Sequence, residues 1–223
     1  MGLDMYLNMK VGHYPKKGDT TIDLTNLDSS WDNLDFNEFG ASSRIDISMG
    51  VGYWRKANHI HRWFVNNIQT GEDNCGDYTV TMGELDTLYD TCMKVLNKLN
   101  GKIFSINDEH REHCEKYAKE NGIEIEETVT FDITKLKEFY SDGNLMMYSR
   151  ILDGDDVENE NLYDYCDDNL PCLDGCFFGS QTFEWWYFHD IIKTVLIIDK
   201  VREINKQYEE KKMYVEFSYS SSW

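Results

Sequence analysis

At 223 residues, with 41% apolar and 14% aromatic side chains, the chain is long enough to bury one sizeable core and too rich in rings for wholesale disorder. Twenty-two basic against 41 acidic residues leave a formal charge of −19, which excludes generic binding to nucleic-acid backbones and anionic membranes unless a local patch reverses the field. The acidity is uneven: −5 over residues 1–100, −13 over 101–175 and −1 over 176–223.

In "GLDMYLNMKV", Leu3, Met5, Leu7 and Met9 alternate with polar positions, the period of a strand with one buried face. Residues 15–43 hold Pro15, Gly18, Gly40 and many Asp, Asn and Ser, with Trp31 and Phe36 as isolated anchors, and read as a long loop. "RIDISMGVGYW" reads as extended. From Trp54 the period becomes helical: Ala57, Ile60, Phe64 and Ile68 share a stripe, with Arg55, His59, Arg62 and Asn66 opposite and Trp54, Asn58, His61 and Val65 along the boundary. Thr81 and Glu84 form a capping box ahead of Leu85, Leu88, Cys92, Val95, Leu96 and Leu99, and Gly101 is a natural stop.

Within 101–175 the pattern predicts a charged helix near 108–120, a strand "IEIEETVTFD", a short helix near 133–140 and an exposed acidic loop over 151–170, where eight acids meet no base. "CFFGS" reads as a short buried strand, 183–210 as the longest helix and "MYVEFSYSSSW" as a strand. The expected fold is a single α+β domain over 1–223, a mixed or antiparallel sheet flanked by helices, with 101–175 an acidic insertion.

No basic n-region leads into an apolar h-region, no run of about 18 apolar residues is present, and Tyr6 stands where a myristoylation signal needs Ser or Thr. A cytoplasmic protein without membrane attachment is expected. Its six cysteines, at irregular spacings, are expected as free thiols.

Signatures of the P-loop, dinucleotide-binding, zincin and serine-hydrolase types are absent from the sequence, which leans the reading away from an enzyme and from any cofactor. "DGDDVENENL" has Gly154 at the second position and Val157 at the fifth, where a calcium loop needs a ligand, and "HREHC" places His110 and His113 a turn apart without two further ligands, so no metal is expected at either. Against this background, "GYWRKANHIHRWFVNNIQTG" carries no carboxylate at all. Arg offers a planar fork for phosphate, Trp and Tyr offer faces for a base, and Asn and His can bond ribose or base edges. "FFGSQTFEWWYFHD" adds a second ring-rich group around a Gly-Ser turn at a helix start, where unpaired amides suit phosphate oxygens. The candidate ligand-binding residues are Trp54, Arg55, Lys56, Asn58, His61, Ser180, Trp186 and Tyr187. Packing alone accounts for the same pattern if Ile60 and Trp63 are core, the arginines are solvated and His61 is a satisfied helix histidine.

The segments "MGLDMYL", "VGYWRKANHIHRWFV", "GEDNCGDYTVT", "FFGSQTFEWWYFHD" and "YSSSW", in this order, resemble a family of small proteins carried by bacteriophages and prophages. The matching positions include Trp54, Arg55, Lys56, Asn58, His61, Trp63, Asp73, Cys75, Gly179, Ser180, Trp186, Tyr187 and Asp190; His59 and Arg62 fall at looser ones. Most of 101–175 stands where that family passes quickly between motifs. The resemblance implies a phage context, in which a pocket-bearing protein would bind and sequester a nucleotide-derived immune signal, a cyclic ADP-ribose isomer or a cyclic dinucleotide. Trp54 or Trp186 would stack on the base, Arg55 and Lys56 would meet phosphate, and Asn58 and His61 would read ribose or base edges. Two alternatives stand beside this: a hydrolase of a nucleotide phosphoester or glycosidic bond, using His61, Asp4, Asp73 and Cys75, and an acidic DNA-mimic decoy of a host protein. The expected partner is a nucleotide-derived small molecule rather than nucleic acid or membrane, and a homo-oligomer is compatible with either.

Overall fold

The computed structural model describes residues 2–13, 45–106, 111–122, 124, 127–141, 148–151, 156–175, 178–183, 185–211 and 213–223. The expected loop over 15–43 with Trp31 and Phe36, and His110 of the histidine pair, lie outside these. The architecture is α+β. Strands β1 (Asp4–His13), β2 (Ile45–Arg55), β3 (Asp77–Val80) and β7 (Tyr214–Ser222) form an antiparallel sheet in the order β2-β1-β7-β3. The alternation read in β1 is the alternation observed: Leu3, Met5, Leu7 and Met9 are completely buried, while Tyr6 and Lys10 face out. A register shift between Leu7 and Asn8 lets β2 carry one extra residue and keep its own inward set in phase.

Three helices supply the layer that the sheet's apolar face needs: α1 (Asn58–Asn67), α2 (Met82–Leu99) and α6 (Trp185–Glu210). The α2 start is the capping box predicted, with Glu84 N–H donating to Thr81 Oγ1 at 3.2 Å and Thr81 N–H donating to Glu84 Oε2 at 2.7 Å. Its stripe Leu85, Leu88, Cys92, Val95, Leu96 and Leu99 is buried, and α2 packs along α6.

Residues 101–175 build a second antiparallel sheet, β5-β4-β6, from β4 (Ile103–Ile106), β5 (Thr128–Thr130) and β6 (Tyr148–Ile151). Around it stand α3 (Arg111–Asn121), a 3-10 turn (Ile133–Lys135), α4 (Leu136–Ser141) and α5 (Asp156–Asn169). Phe104, Phe131, Leu162, Cys166 and Leu170 belong to the same buried cluster as the β1 and α6 side chains, so this region shares the main core.

Three expectations are corrected. The 151–170 stretch is not a loop: from Asp156 it is helical, because Leu162, Cys166 and Leu170 recur every four residues and bury against the α2 side, a stripe masked in the sequence by the surrounding charge. "CFFGS" is not a strand over its described part: 178–180 are irregular, and Gly179 has φ +106, outside extended space. Helical structure does not begin at Trp54, since β2 runs through Arg55 and Lys56 turns the chain at φ 60 before α1 starts at Asn58.

Candidate functional site

The turn between β2 and α1 sits at one end of the main sheet. Lys56 N–H donates to Leu3 O at 2.8 Å and Asn58 N–H to Lys56 O at 2.9 Å, which holds Lys56 in its left-handed conformation and its side chain in solvent. The loop 178–183 lies directly on this turn. A Cβ at Gly179 would come 2.7 Å from Lys56 O, so only glycine permits the approach. Asn58, 1% exposed, straps the loop down by donating from Nδ2 to Ser180 O at 2.8 Å and Phe178 O at 3.4 Å. Ser180 and Thr182 are exposed there, their hydroxyls 2.6 Å apart.

Beneath Phe178 runs a chain of polar contacts. His61, completely buried, has Nδ1 2.6 Å from the Tyr219 hydroxyl and Nε2 3.0 Å from Asp73 Oδ1. Burial lowers the imidazole's pKa, and Asp73 offsets this only in part, so His61 is neutral at pH 7. A carboxylate can only accept, which puts the imidazole proton on Nε2. Burial raises the Tyr219 phenol, leaving it protonated to donate to Nδ1. The Trp223 indole N–H also donates to Asp73 Oδ1, at 3.1 Å, and its ring lies 6.3 Å from Phe178. Trp223 is 46% exposed.

Arg55, Asp4 and Ser222 form one cross-strand row, the last directly before Trp223. The sheet end therefore collects two exposed cations, Arg55 and Lys56, a hydroxyl pair, a half-exposed indole and two carboxylates: Asp73, and Asp4, which pairs with Arg55 across the strands and accepts from the Tyr53 hydroxyl.

The predicted residues divide cleanly. Arg55, Lys56 and Ser180 are exposed at this sheet end, and Asn58 and His61 lie just under it as supports. Asn58 Nδ2 holds the loop while its Oδ1 meets no hydrogen-bond partner among the described residues, and both His61 nitrogens are engaged. Trp54 is no stacking platform, since it is completely buried with its indole N–H donating to Thr194 Oγ1 at 2.9 Å. Tyr187 is spent in the core, its hydroxyl donating to Leu170 O at 2.9 Å. Trp186 is 50% exposed on α6, edge-on to His189, which stacks on Tyr140, and belongs to a separate aromatic patch. His59, placed by periodicity on the outer face, is buried against the Tyr187 ring at 4.3 Å, where desolvation pushes it down to about 4.

Two residues of the sheet end were missed in the candidate list, Trp223 and Asp73. A single tryptophan after the polar run "SYSSS" was the available signal for Trp223, whereas Asp73 is singled out only by the motif resemblance and the hydrolase alternative and not as a ligand contact. A cavity of about 200 Å³ opens on the polar sheet face, lined by Asn8, Lys10, Ser48, Asp77, Thr79 and Glu216 among others. Among the described residues no cluster of three or more His, Cys, Asp or Glu could hold a metal, and no helix is long and apolar enough to cross a membrane. Searches of family models, curated proteins and solved structures find no match to this chain.

Proposed function

We propose that this is a phage-encoded anti-defence protein that binds and sequesters a nucleotide-derived immune signalling molecule, a cyclic ADP-ribose isomer or a cyclic dinucleotide, at the sheet end. Lys56 and Arg55 meet phosphate, Ser180 and Thr182 bond its remaining oxygens, and Trp223 takes the base-stacking role first assigned to Trp54 or Trp186. The observation that carries this is the strapped contact of Gly179 on the Lys56 backbone, which brings the Lys56 turn and the Ser180–Thr182 hydroxyl pair next to the loop that carries Phe178, the ring neighbour of Trp223. The phage context rests on the motif resemblance alone.

Binding suits the arrangement better than bond cleavage. His61 has neither an exposed atom nor a spare nitrogen with which to act as a general base. Magnitudes then fix a further requirement. One stacked base contributes about 1–3 kcal/mol and each of two charge-assisted bonds about 1.5–3, which reaches roughly millimolar to micromolar affinity. Nanomolar sequestration needs a second wall beyond these contacts.

Calorimetry with ADP-ribose, cyclic ADP-ribose isomers and cyclic dinucleotides tests this. Binding of at least one, weakened about tenfold or more in Lys56→Ala and Trp223→Ala, is expected from the loss of one such contact. No heat across the panel sinks the reading. The decoy reading has one observation in its favour: α5 presents Asp164, Asp167 and Asp168 exposed on a helix rather than a loop. Capture of a host DNA-binding protein that Asp164→Asn/Asp168→Asn abolishes would select it.

A further inference from the structure

Asp73 has an asymmetry that bears on which nucleotide the sheet end takes. Its Oδ1 receives both internal donors, His61 Nε2 at 3.0 Å and the Trp223 indole N–H at 3.1 Å. Oδ2 receives no hydrogen bond from the described residues, and the side chain is 29% exposed. An ionised carboxylate has about four acceptor sites and no donor, so whatever meets Oδ2 must bring a hydrogen. Phosphate cannot, and the carboxylate repels it toward Lys56 and Arg55. The indole is held by its own N–H against Asp73, so a ring stacked on Trp223 carries its attached sugar past that carboxylate.

Resting on the nucleotide-binding reading above, we infer that Asp73 Oδ2 accepts the 2′-hydroxyl of the ligand's ribose and that the site selects ribonucleotides over deoxyribonucleotides. His61 and Tyr219 act as positioning residues: Tyr219 donates to Nδ1, which commits the Nε2 proton to Oδ1 and leaves Oδ2 of the partly exposed side chain without an internal donor among the described residues. An isosteric amide separates the two oxygens. In Asp73→Asn, Oδ1 can keep both internal donors while the nitrogen replacing Oδ2 is a neutral donor, so the hydroxyl loses its charged acceptor and can at most accept a weaker neutral bond.

The experiment compares ADP, 2′-deoxy-ADP and inosine diphosphate by calorimetry on the wild-type protein and on Asp73→Asn, with the thermal midpoint of each recorded. The expected result is about a tenfold preference of the wild type for ADP over 2′-deoxy-ADP, the size of one hydrogen bond to a charged acceptor, falling to near parity in Asp73→Asn. Equal wild-type affinity for ADP and 2′-deoxy-ADP overturns the inference while sparing the binding reading; a loss confined to inosine diphosphate then assigns the donor to the adenine amino group. The wild-type comparison stands even if the variant does not fold. If neither ADP nor 2′-deoxy-ADP binds, while another nucleotide of the earlier panel does, the inference alone falls. If nothing binds, both fall.

Discussion

His59 is the residue whose environment differs most from its sequence position. Helical spacing puts it opposite the apolar stripe of α1, yet α6 covers that side, and His59 is 3% exposed against Tyr187 with Nε2 meeting no hydrogen-bond partner among the described residues. A charged imidazole there would be desolvated, with Asp190 the facing charge that partly compensates. Because the folded pKa of about 4 lies below the ordinary 6.5, the unfolded chain binds more protons between these values. Stability is therefore complete above pH 6.5 and falls as the pH drops toward 4. From His59 alone the loss is about 2 kcal/mol between pH 6.5 and 5, at roughly 1.36 kcal/mol per unit. Urea midpoints of the wild type and His59→Gln across that range measure it: the wild type should lose stability and the variant should lose distinctly less. Parallel profiles would place the acid sensitivity elsewhere. His61 contributes in the same direction, its pKa also being lowered by burial.

At the scale of elements, what was legible followed how directly a local pattern reports its surroundings. The β1 alternation and the α2 stripe are one-sided patterns facing one core, and both were readable to within a residue or two. Thr81→Ala tests the α2 start: it leaves Glu84 N–H without its cap and should cost about 1 kcal/mol in a denaturant titration, an unchanged midpoint meaning that the box is not formed in solution. Elements covered on two sides were harder. In α1, residues Asn58 to His61 and Trp63 to Val65 are all buried, so its polar members read as a surface when they are internal struts. In α5 the stripe Leu162, Cys166 and Leu170 was outvoted by eight carboxylates around it. The sheet end was half legible for the same reason: Arg55, Lys56 and Ser180 announce themselves by type, but the pairing of Asp73 with Trp223 spans 150 residues and leaves no local trace.

At the scale of the whole molecule, the −19 charge acts on the fold itself as well as on any anion approaching Lys56. The surplus of 41 acids over 22 bases repels itself, and over 101–175 the excess reaches −13 on a region that must stay docked to the common core through Phe104, Phe131 and Leu162. Opposing this are pairs such as Arg202–Asp86 at 2.7 Å, Arg111–Glu127 at 2.9 Å and Lys10–Asp46 at 3.1 Å, all partly exposed and each worth little in water. Added salt screens both terms, and the repulsive one is larger because it is long-ranged and made of more charges. Moving from about 10 mM to 150 mM salt shortens the screening length from roughly 30 Å to 8 Å, so most repulsion between distant carboxylates disappears while the contact pairs lose only part of a small attraction. The thermal midpoint should rise by about 2–4 °C, the equivalent of roughly 1 kcal/mol for a chain of this length, to the same extent in sodium chloride and potassium fluoride. A fall in the midpoint would mean that the contact pairs outweigh the field. A rise in only one of the salts would mean that a particular ion binds.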